Sequence, residues 1–315
     1  MNPLSAIFGA AVRARNDLYE RGRLHSHRLQ GPVVSVGNLS AGGAGKTPFL
    51  ILLGELLKQR SILFDVLSRG YRRETKGVAL VDAGGTPRQF GDEPLLIARK
   101  LGVPVIVGED RVAAGQFAEQ NFGPQLHLLD DGFQHRRLAR DFDIVLLTPE
   151  DVRDSLLPAG RLREPLSSLA RADAVVLSGN LSPDAVPQPL RSCWRVQRSI
   201  FAPKIEEASV AFCGIARPEP FFSQLRQAEM NIVATRRFPD HHPYTPADVK
   251  ELLQLRDRHR ANTFVTTEKD AINLGAQLRD LGTVQVVPLR LELENAEACM
   301  QELLARMSER KSRST

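Results

Sequence analysis

Residues 35–48, Ser-Val-Gly-Asn-Leu-Ser-Ala-Gly-Gly-Ala-Gly-Lys-Thr-Pro, hold the groups best suited to chemistry. A glycine-rich turn lets backbone N–H groups close around an anion, and a following helix adds the partial positive charge of its N-terminus. In that setting Lys46 reaches the outer phosphates of a nucleotide, and the Thr47 hydroxyl can ligate Mg²⁺. The nucleotide contacts therefore fall on Gly42, Gly43, Ala44, Gly45, Lys46, Thr47 and Pro48. Ser40 replaces the first glycine of the usual G-x-x-x-x-G-K-[ST] pattern, and Gly42 and Gly43 compensate. The simpler alternative is an ordinary glycine turn with a surface lysine. The apolar run Pro32 to Val36 before the turn and the amphipathic segment Phe49 to Leu57 after it favour the phosphate site.

Other acidic and imidazole groups could complete that site. His127-Leu128-Leu129-Asp130-Asp131 ends an apolar run with two carboxylates, which can hold Mg²⁺ directly or through water. Acidic residues after strands are also common turn formers, so Asp130 and Asp131 gain their meaning from Lys46 and Thr47. Asp92, in Phe90-Gly91-Asp92-Glu93-Pro94, fits two roles: a helix cap, as Pro94 in the first turn suggests, or a base for a hydroxyl nucleophile. His241 and His242 follow Asp240 in a loop. Adjacent histidines point to different sides and are common in surface loops. An Asp–His pair across a cleft is, however, a way to orient and tune a base.

The elements that must position these groups alternate. Ile62 to Leu67, Val103 to Val107, Gln125 to Leu129, Asp143 to Leu147 and Ala174 to Leu177 read as strands, with a helix over Glu93 to Leu101. Such alternation predicts an α/β fold with a mainly parallel sheet and ligands at the strand C-terminal ends. The candidate residues all lie on post-strand loops. After a Pro-rich patch, Ser182 to Pro189, a second α/β region follows, with strands at Trp194 to Phe201, Ala208 to Cys213, Ile232 to Phe238, Thr263 to Thr267 and Val284 to Leu293. Ala296 to Met307 reads as a last helix. The expected division is 1–190, a P-loop domain, and 191–315, a smaller α/β domain.

Composition narrows the class. The 315 residues suffice for two cores, and ordinary apolar and charged fractions argue against extensive disorder. Cys193, Cys213 and Cys299 are far apart, which suggests a reducing compartment without disulfides or a Cys-rich metal site. No apolar run approaches a membrane span, and no signal peptide is visible. The net charge of +5 divides into +3 in residues 1–30, +3 in residues 305–315 and −1 between them, so the high pI belongs to the ends and says little for a nucleic-acid groove across the body. Over about residues 1–22, Leu4, Ile7, Phe8, Ala11 and Leu18 fall on one helical face, with Arg13, Asn16, Asp17 and Glu20 opposite. Arg15 falls on the apolar face and must snorkel. A helix of this kind suits either an anionic membrane interface or packing against its own domain.

Six motifs in order then carry a resemblance. They are Val36-Gly37-Asn38-Leu39 through Pro48, Ser68-Arg69-Gly70-Tyr71, Gly91-Asp92-Glu93-Pro94, Leu129-Asp130-Asp131-Gly132-Phe133-Gln134-His135, Leu162-Arg163-Glu164-Pro165 and Asp240-His241. Over roughly residues 1–290 the chain resembles the tetraacyldisaccharide 4′-kinases, the lipid A 4′-kinases of Gram-negative bacteria. Ser40 is similar to the pattern of that family. The resemblance implies a P-loop NTPase-like domain and a second α/β domain joined by a two-stranded linker, for which the segments near 194–201 and 284–293 are the candidates. The last helix would return toward the first domain.

The resemblance also implies transfer of the γ-phosphoryl of ATP, with Mg²⁺, to the 4′-hydroxyl of a membrane-embedded tetraacyldisaccharide 1-phosphate, giving lipid IVA. The location implied is the cytoplasmic face of the inner membrane, with no nucleic acid and no obligatory protein partner. The basic amphipathic start becomes a membrane-surface device. Lys46 and the loop amides would hold phosphates, and Thr47 and Asp131 the metal, with Asp130 and Glu164 as further carboxylates for it. Asp92 resembles the family's base and His241 its partner. Arg111 and Arg163 are candidates for stabilising transferred charge or for the acceptor's phosphate. Arg69 and Tyr71, with Asn38, Gln134 and His135 of the shared motifs, are substrate contacts, whereas Arg72 and Arg73 read as surface charge. A P-loop GTPase or metallochaperone-like switch is the alternative, with Thr267-Glu268-Lys269-Asp270 a near miss to a guanine-reading motif.

Overall fold

The computed structural model describes residues 2–200 and 206–314. Phe201, the expected end of the first linker strand, lies outside the described residues. In chain order the elements are α1 (Pro3–Glu20), β1 (Val33–Asn38), α2 (Lys46–Gln59), β2 (Phe64–Ser68), β3 (Ala79–Leu80), α3 (Pro87–Phe90), α4 (Asp92–Leu101) and β4 (Val105–Val107). Then follow α5 (Arg111–Phe122), β5 (Leu126–Asp130), β6 (Phe142–Leu147), α6 (Pro149–Val152), β7 (Ala174–Ser178) and β8 (Cys193–Ile200). The remainder comprises β9 (Ser209–Cys213), α7 (Pro218–Gln227), β10 (Ile232–Arg237), α8 (Pro246–Arg258), β11 (Thr263–Thr267), α9 (Glu268–Leu274), β12 (Val284–Val287), β13 (Leu289–Leu293) and α10 (Ala296–Ser314).

Nine strands form one sheet in the order β13-β8-β7-β6-β1-β5-β2-β4-β3, and four form a second in the order β10-β9-β11-β12. In the large sheet only the edge strands β13 and β3 pair antiparallel. The second sheet is parallel throughout. Every residue of β1, β2, β5 and β6 is buried, as expected of parallel strands covered on both faces. Alternation sorts them: Val34 and Val36 face the core under α2, with Phe49, Leu50 and Leu53, while Val33 faces the opposite core with Leu67 and Leu129. In the second unit Phe212 and Phe264 face one side with Tyr244 and Leu252, and Ala211 and Val265 the other with Phe221 and Phe222.

The structure redraws the expected domain limits at both ends of the second unit. The single strand expected over 284–293 is two strands in different sheets: β12 extends the small sheet from β11, and β13 pairs with β8 at the edge of the large one. Pro288 stands between them, and without an N–H it cannot donate to either ladder. Met300, Leu303 and Met307 of α10 are buried in the same core as Val34 and Ile144. Residues 289–314 therefore belong with the first sheet, and the smaller α/β unit is the part carried between β8 and β13.

Helix α1 turns its expected apolar face outward. Leu4, Ile7 and Leu18 are 61%, 66% and 38% exposed, and the buried positions are Ser5, Gly9, Val12 and Asn16. The helix packs on its own domain through the opposite face, while Leu4, Ile7 and Leu18 stay exposed and Phe8 is half-buried.

Candidate active site

The glycine turn lies between the end of β1 and the start of α2. Gly42, Gly43 and Gly45 all have positive φ, 77°, 70° and 83°, a region that side chains disfavour. Gly45 is the N-cap of α2 and makes no side-chain cap, so the first amides of that helix remain available to an anion. Ser40 is fully buried and accepts a hydrogen bond from Asn38 Nδ2 at 3.2 Å. Lys46 Nζ donates to Asn38 Oδ1 at 3.1 Å and stands 3.6 Å from Asp131. Asn38 thus orients the lysine from beneath. Its carbonyl accepts from Gln134 at 3.0 Å.

The two carboxylates at the end of β5, Asp130 as its last residue and Asp131 just beyond, differ sharply. Asp130 accepts from the Ser68 hydroxyl at 2.9 Å, and its other oxygen is buried without a partner among the described residues. Burial, with Glu93 and Asp131 nearby, pushes its pKa up to about 7. Asp131 is only half-buried; desolvation opposes its charge, but Lys46 and the bidentate Arg163 contact (2.8 and 2.9 Å) outweigh it and hold the carboxyl well below the usual range. A hydroxyl and two carboxylates beside a phosphate cradle are hard oxygen donors that suit Mg²⁺, and the orphaned Asp130 oxygen is a ready acceptor for a cation or its water. Among the described residues no three His, Cys, Asp or Glu side chains could hold an ion by themselves, so phosphate oxygens must complete the set.

Glu164 does not belong to that set. It is fully buried on the far side of its segment, accepting from Asn16 Nδ2 at 2.8 Å and Arg171 Nη2 at 2.6 Å, whereas the neighbouring Arg163 turns into the cleft. Arg73 is also corrected: its side chain is buried and pairs with Glu109 at 2.9 Å, so it is no surface charge.

On the opposite wall Asp92 is the first residue of α4, and the cap position belongs to Gly91. Its carboxylate receives His241 Nδ1 at 2.8 Å and Asn273 Nδ2 at 3.1 Å, with Lys269 Nζ 3.7 Å away. Asp92 and His241, 149 positions apart, meet across the gap between the two units. Burial opposes the charge on Asp92, but the His241 hydrogen bond and the Lys269 charge outweigh it and hold the pKa at about 2. Burial likewise opposes protonation of His241, and Asp92 wins, raising it. His241 adopts φ 55°, and its ring meets Tyr71 edge-on at 5.2 Å. His242 points away, pairing with Asp248 at 3.1 Å and stacking on Phe238.

Lys269 and Asn273 were not read from the sequence. Lys269 Nζ also lies 3.2 Å from Asp240, 3.2 Å from His241 Nε2 and 3.7 Å from Glu93. Their signal was a spacing of four at a helix start after a buried strand, which places both on one face. Asp270 of the supposed guanine motif is buried, accepting from Tyr244 Oη and the Gly214 amide, and reads no base.

One cleft of about 1120 Å³ takes in Lys46, Thr47, Asp131, Arg69, Tyr71, Arg111, Gln134, His135, Arg163 and His241. Arg111 is anchored on the Glu109 carbonyl at 3.0 Å. His135 is held neutral, its pKa pushed down to about 4 by burial and by Arg111 and Arg140. The second unit overhangs the glycine turn, and a Cβ at Gly43 would stand 2.8 Å from Arg217 Cγ.

A phosphate cradle facing a carboxylate–imidazole pair is the layout of a phosphotransferase, and comparison with known proteins gives it a family. The family model described as tetraacyldisaccharide-1-P 4′-kinase matches residues 1–308. The chain belongs to that family. The tetraacyldisaccharide 4′-kinase of Koribacter versatilis is 51% identical over 314 residues, covering 96% of this chain and 98% of that protein. The one from Chlorobaculum parvum is 40% identical, covering 86% and 82%. Among solved structures, the Aquifex aeolicus member, described as an "apo" form in complex with ATP, aligns with TM-score 0.79 and 32% identity over 97% of this chain and 98% of that one. The kinase reading holds and the GTPase-like alternative does not.

Proposed function

We propose that this cleft moves the γ-phosphoryl of ATP to the 4′-hydroxyl of a tetraacyldisaccharide 1-phosphate, with Asp92 accepting the hydroxyl proton. The carrying observation is the contact (2.8 Å) between the buried Asp92 and His241, which itself lines the cleft that holds Lys46 and Asp131. Phosphoryl transfer asks chiefly for alignment and charge neutralisation. Lys46 and the turn amides hold the β and γ phosphates. Thr47 and Asp131, with Asp130 behind them, hold Mg²⁺, which supplies charge neutralisation across the phosphates when bound. Arg163 and Arg111 bring further positive charge to the same wall.

Asp92 is the acceptor because its neighbours leave no better one. Lys269 Nζ, 3.2 Å from His241 Nε2, can only donate, so in its neutral form the imidazole presents Nδ1–H to the carboxylate, as it also does when protonated. A carboxylate held at about 2 is a weak base, so its first task is to align the hydroxyl, and the proton arrives late as the new P–O bond forms. Arg69 and Tyr71 flank this wall and suit a sugar or its phosphate.

No described helix is long and apolar enough to cross a membrane. The outward Leu4, Ile7 and Leu18 of α1, beside Arg13, Arg15 and Arg21, suit insertion into an anionic interface on the cytoplasmic face of the inner membrane, where the acyl chains of the substrate reside. Turnover of ATP and GTP, each with and without the lipid disaccharide, tests the assignment: consumption should require the disaccharide and favour ATP. Turnover without the lipid, or with GTP preferred, would sink it. Charge reversal at Arg13 and Arg21 should weaken binding to anionic vesicles about tenfold or more, and flotation untouched by both changes would dissociate α1 from the membrane.

A further inference from the structure

The buried face of α1 rests on the segment that carries the cleft arginines. Ser5 Oγ donates to the Leu156 carbonyl at 2.9 Å and accepts from the Ala159 amide at 3.3 Å. A Cβ at Gly9 would stand 2.8 Å from Leu156 Cδ1. One helical repeat on, Asn16 Nδ2 donates to Glu164, and the Asn16 carbonyl accepts from Arg136 at 3.0 Å. Tyr19 lies under the Arg136 guanidinium, 5.2 Å away. On its other side the same segment turns Arg161 and Arg163 into the cleft, and the Arg163 amide donates to the Leu39 carbonyl just before the glycine turn.

Glu164 is the joint. A fully buried carboxylate needs paired cations and donors. It has Arg171, whose guanidinium lies 4.3 Å over the Phe133 ring, and Asn16 from the helix. Phe133 follows Asp131 and Gly132 and packs against β1 so closely that a Cβ at Gly37 would meet it at 2.6 Å. Two routes therefore run from Glu164 to the metal-side loop, one along the chain through Arg163 to Asp131 and one through Arg171 and Phe133. One Glu164 oxygen and the Asn16 Oδ1 have no partner among the described residues. The joint is thus incompletely satisfied, and small movements of α1 change what holds it.

We infer that Asn16 and Glu164 are positioning residues that couple the docking of α1 to the binding of Mg²⁺ and nucleotide at Asp131. The inference rests on the assignment of Asp131 to that site. When α1 is docked, the 154–164 segment is clamped from both sides and Arg163 is held among the phosphate-binding groups. When α1 lifts, Glu164 loses a donor while buried, the segment loosens, and the cation is withdrawn. Coupling of this kind is reciprocal, so nucleotide tightens α1 by the factor by which α1 tightens nucleotide.

The test uses the full chain, Mg²⁺ and a β,γ-imido ATP analogue. Amide hydrogen exchange over residues 3–20 should slow severalfold when the Mg²⁺ analogue binds. Asn16→Ala should weaken analogue binding, measured by calorimetry, by a similar factor, and abolish the added protection. In an Arg163→Ala background Asn16→Ala should cost little more. Exchange in α1 that ignores the analogue, while Asp131→Asn still weakens its binding, would overturn the coupling and leave the site standing. Unchanged binding in Asp131→Asn would remove the site and the coupling together. The exchange measurement needs no variant, so a poorly folding Asn16→Ala does not blunt the test.

Discussion

The two walls of the cleft are built by different means. On the phosphate wall, Asn38, the glycine turn, Lys46 and Thr47 lie within ten residues, and Asp130 ends the adjacent parallel strand of the same sheet with Asp131 directly after it. On the acceptor wall, Asp92 comes from the first unit, and His241, Lys269 and Asn273 come from the second, 149 to 181 positions away. The phosphate wall is fixed by local backbone geometry and one core. The acceptor wall exists only while the two units are together. Nucleotide grip and chemical competence are therefore separable, and substitutions should divide along that line.

The largest effect is expected at Lys46. Removing a charge that accompanies the transferred group should lower kcat by about a hundredfold to a thousandfold, and Lys46→Ala should also weaken nucleotide binding. Near-normal turnover in Lys46→Ala would dissolve the phosphate wall as described. Next comes Asp92→Asn, which should lower kcat by about a hundredfold or more while nucleotide affinity stays near that of the parent. A loss of nucleotide affinity of the same size would mean the walls are not separable. His241→Ala combined with Asp92→Ala should be little worse than the worse single variant, because the two act as one unit. Additive losses would assign the histidine elsewhere.

A smaller effect is expected at Asn273, which holds Asp92 without facing the cleft chemistry. Asn273→Ala should lower kcat about tenfold with little change in KM for ATP, and Asn273→Asp should be worse, since it sets a second carboxylate against Asp92. A change confined to KM for ATP would move Asn273 to the other wall.

The smallest effect is a pH dependence of the join between the units. His241 is raised above 6.5, so its share of stability is fully present below 6.5 and is lost as pH rises through the higher folded value. Asp92 is lowered from 3.8 to about 2, so its share is present above 3.8 and lost as pH falls toward 2. Protection of the α4–α9 contact against amide exchange should accordingly be greatest between about pH 4 and 6.5, and the alkaline decline should vanish in His241→Asn. An alkaline decline that survives in that variant would mean another group titrates there.

Legibility followed the same division. The phosphate wall was readable because its chemistry is contiguous: the strand, the turn and the helix start are one local unit with one set of backbone angles. The Asp130–Asp131 pair was readable because a buried apolar run must end where carboxylates can stay hydrated or paired. Asp92 fitted two roles in sequence, and the structure separated them by giving the cap position to Gly91 and bringing His241 to the carboxylate. Glu164 was misassigned because adjacent residues on an extended segment face opposite ways. Only the docking of α1 shows which of Arg163 and Glu164 turns inward.

What the sequence determined alone was the parallel α/β architecture and the phosphate-binding turn, which depend on hydrophobic period and on spacing along one stretch of chain, and the family, through the resemblance that six ordered motifs carry. Tertiary structure decided the rest. Lys269 and Asn273 join Asp92 because α9 packs on α4, which no local pattern encodes. The single-looking strand before α10 divides between two sheets at Pro288 because each half finds a different edge to pair with. The amphipathic start presents its apolar face outward because its small and polar face, Ser5, Gly9 and Asn16, is the one that fits the segment beneath it. Periodicity shows that a helix has two faces; only the surface it meets decides which one is buried.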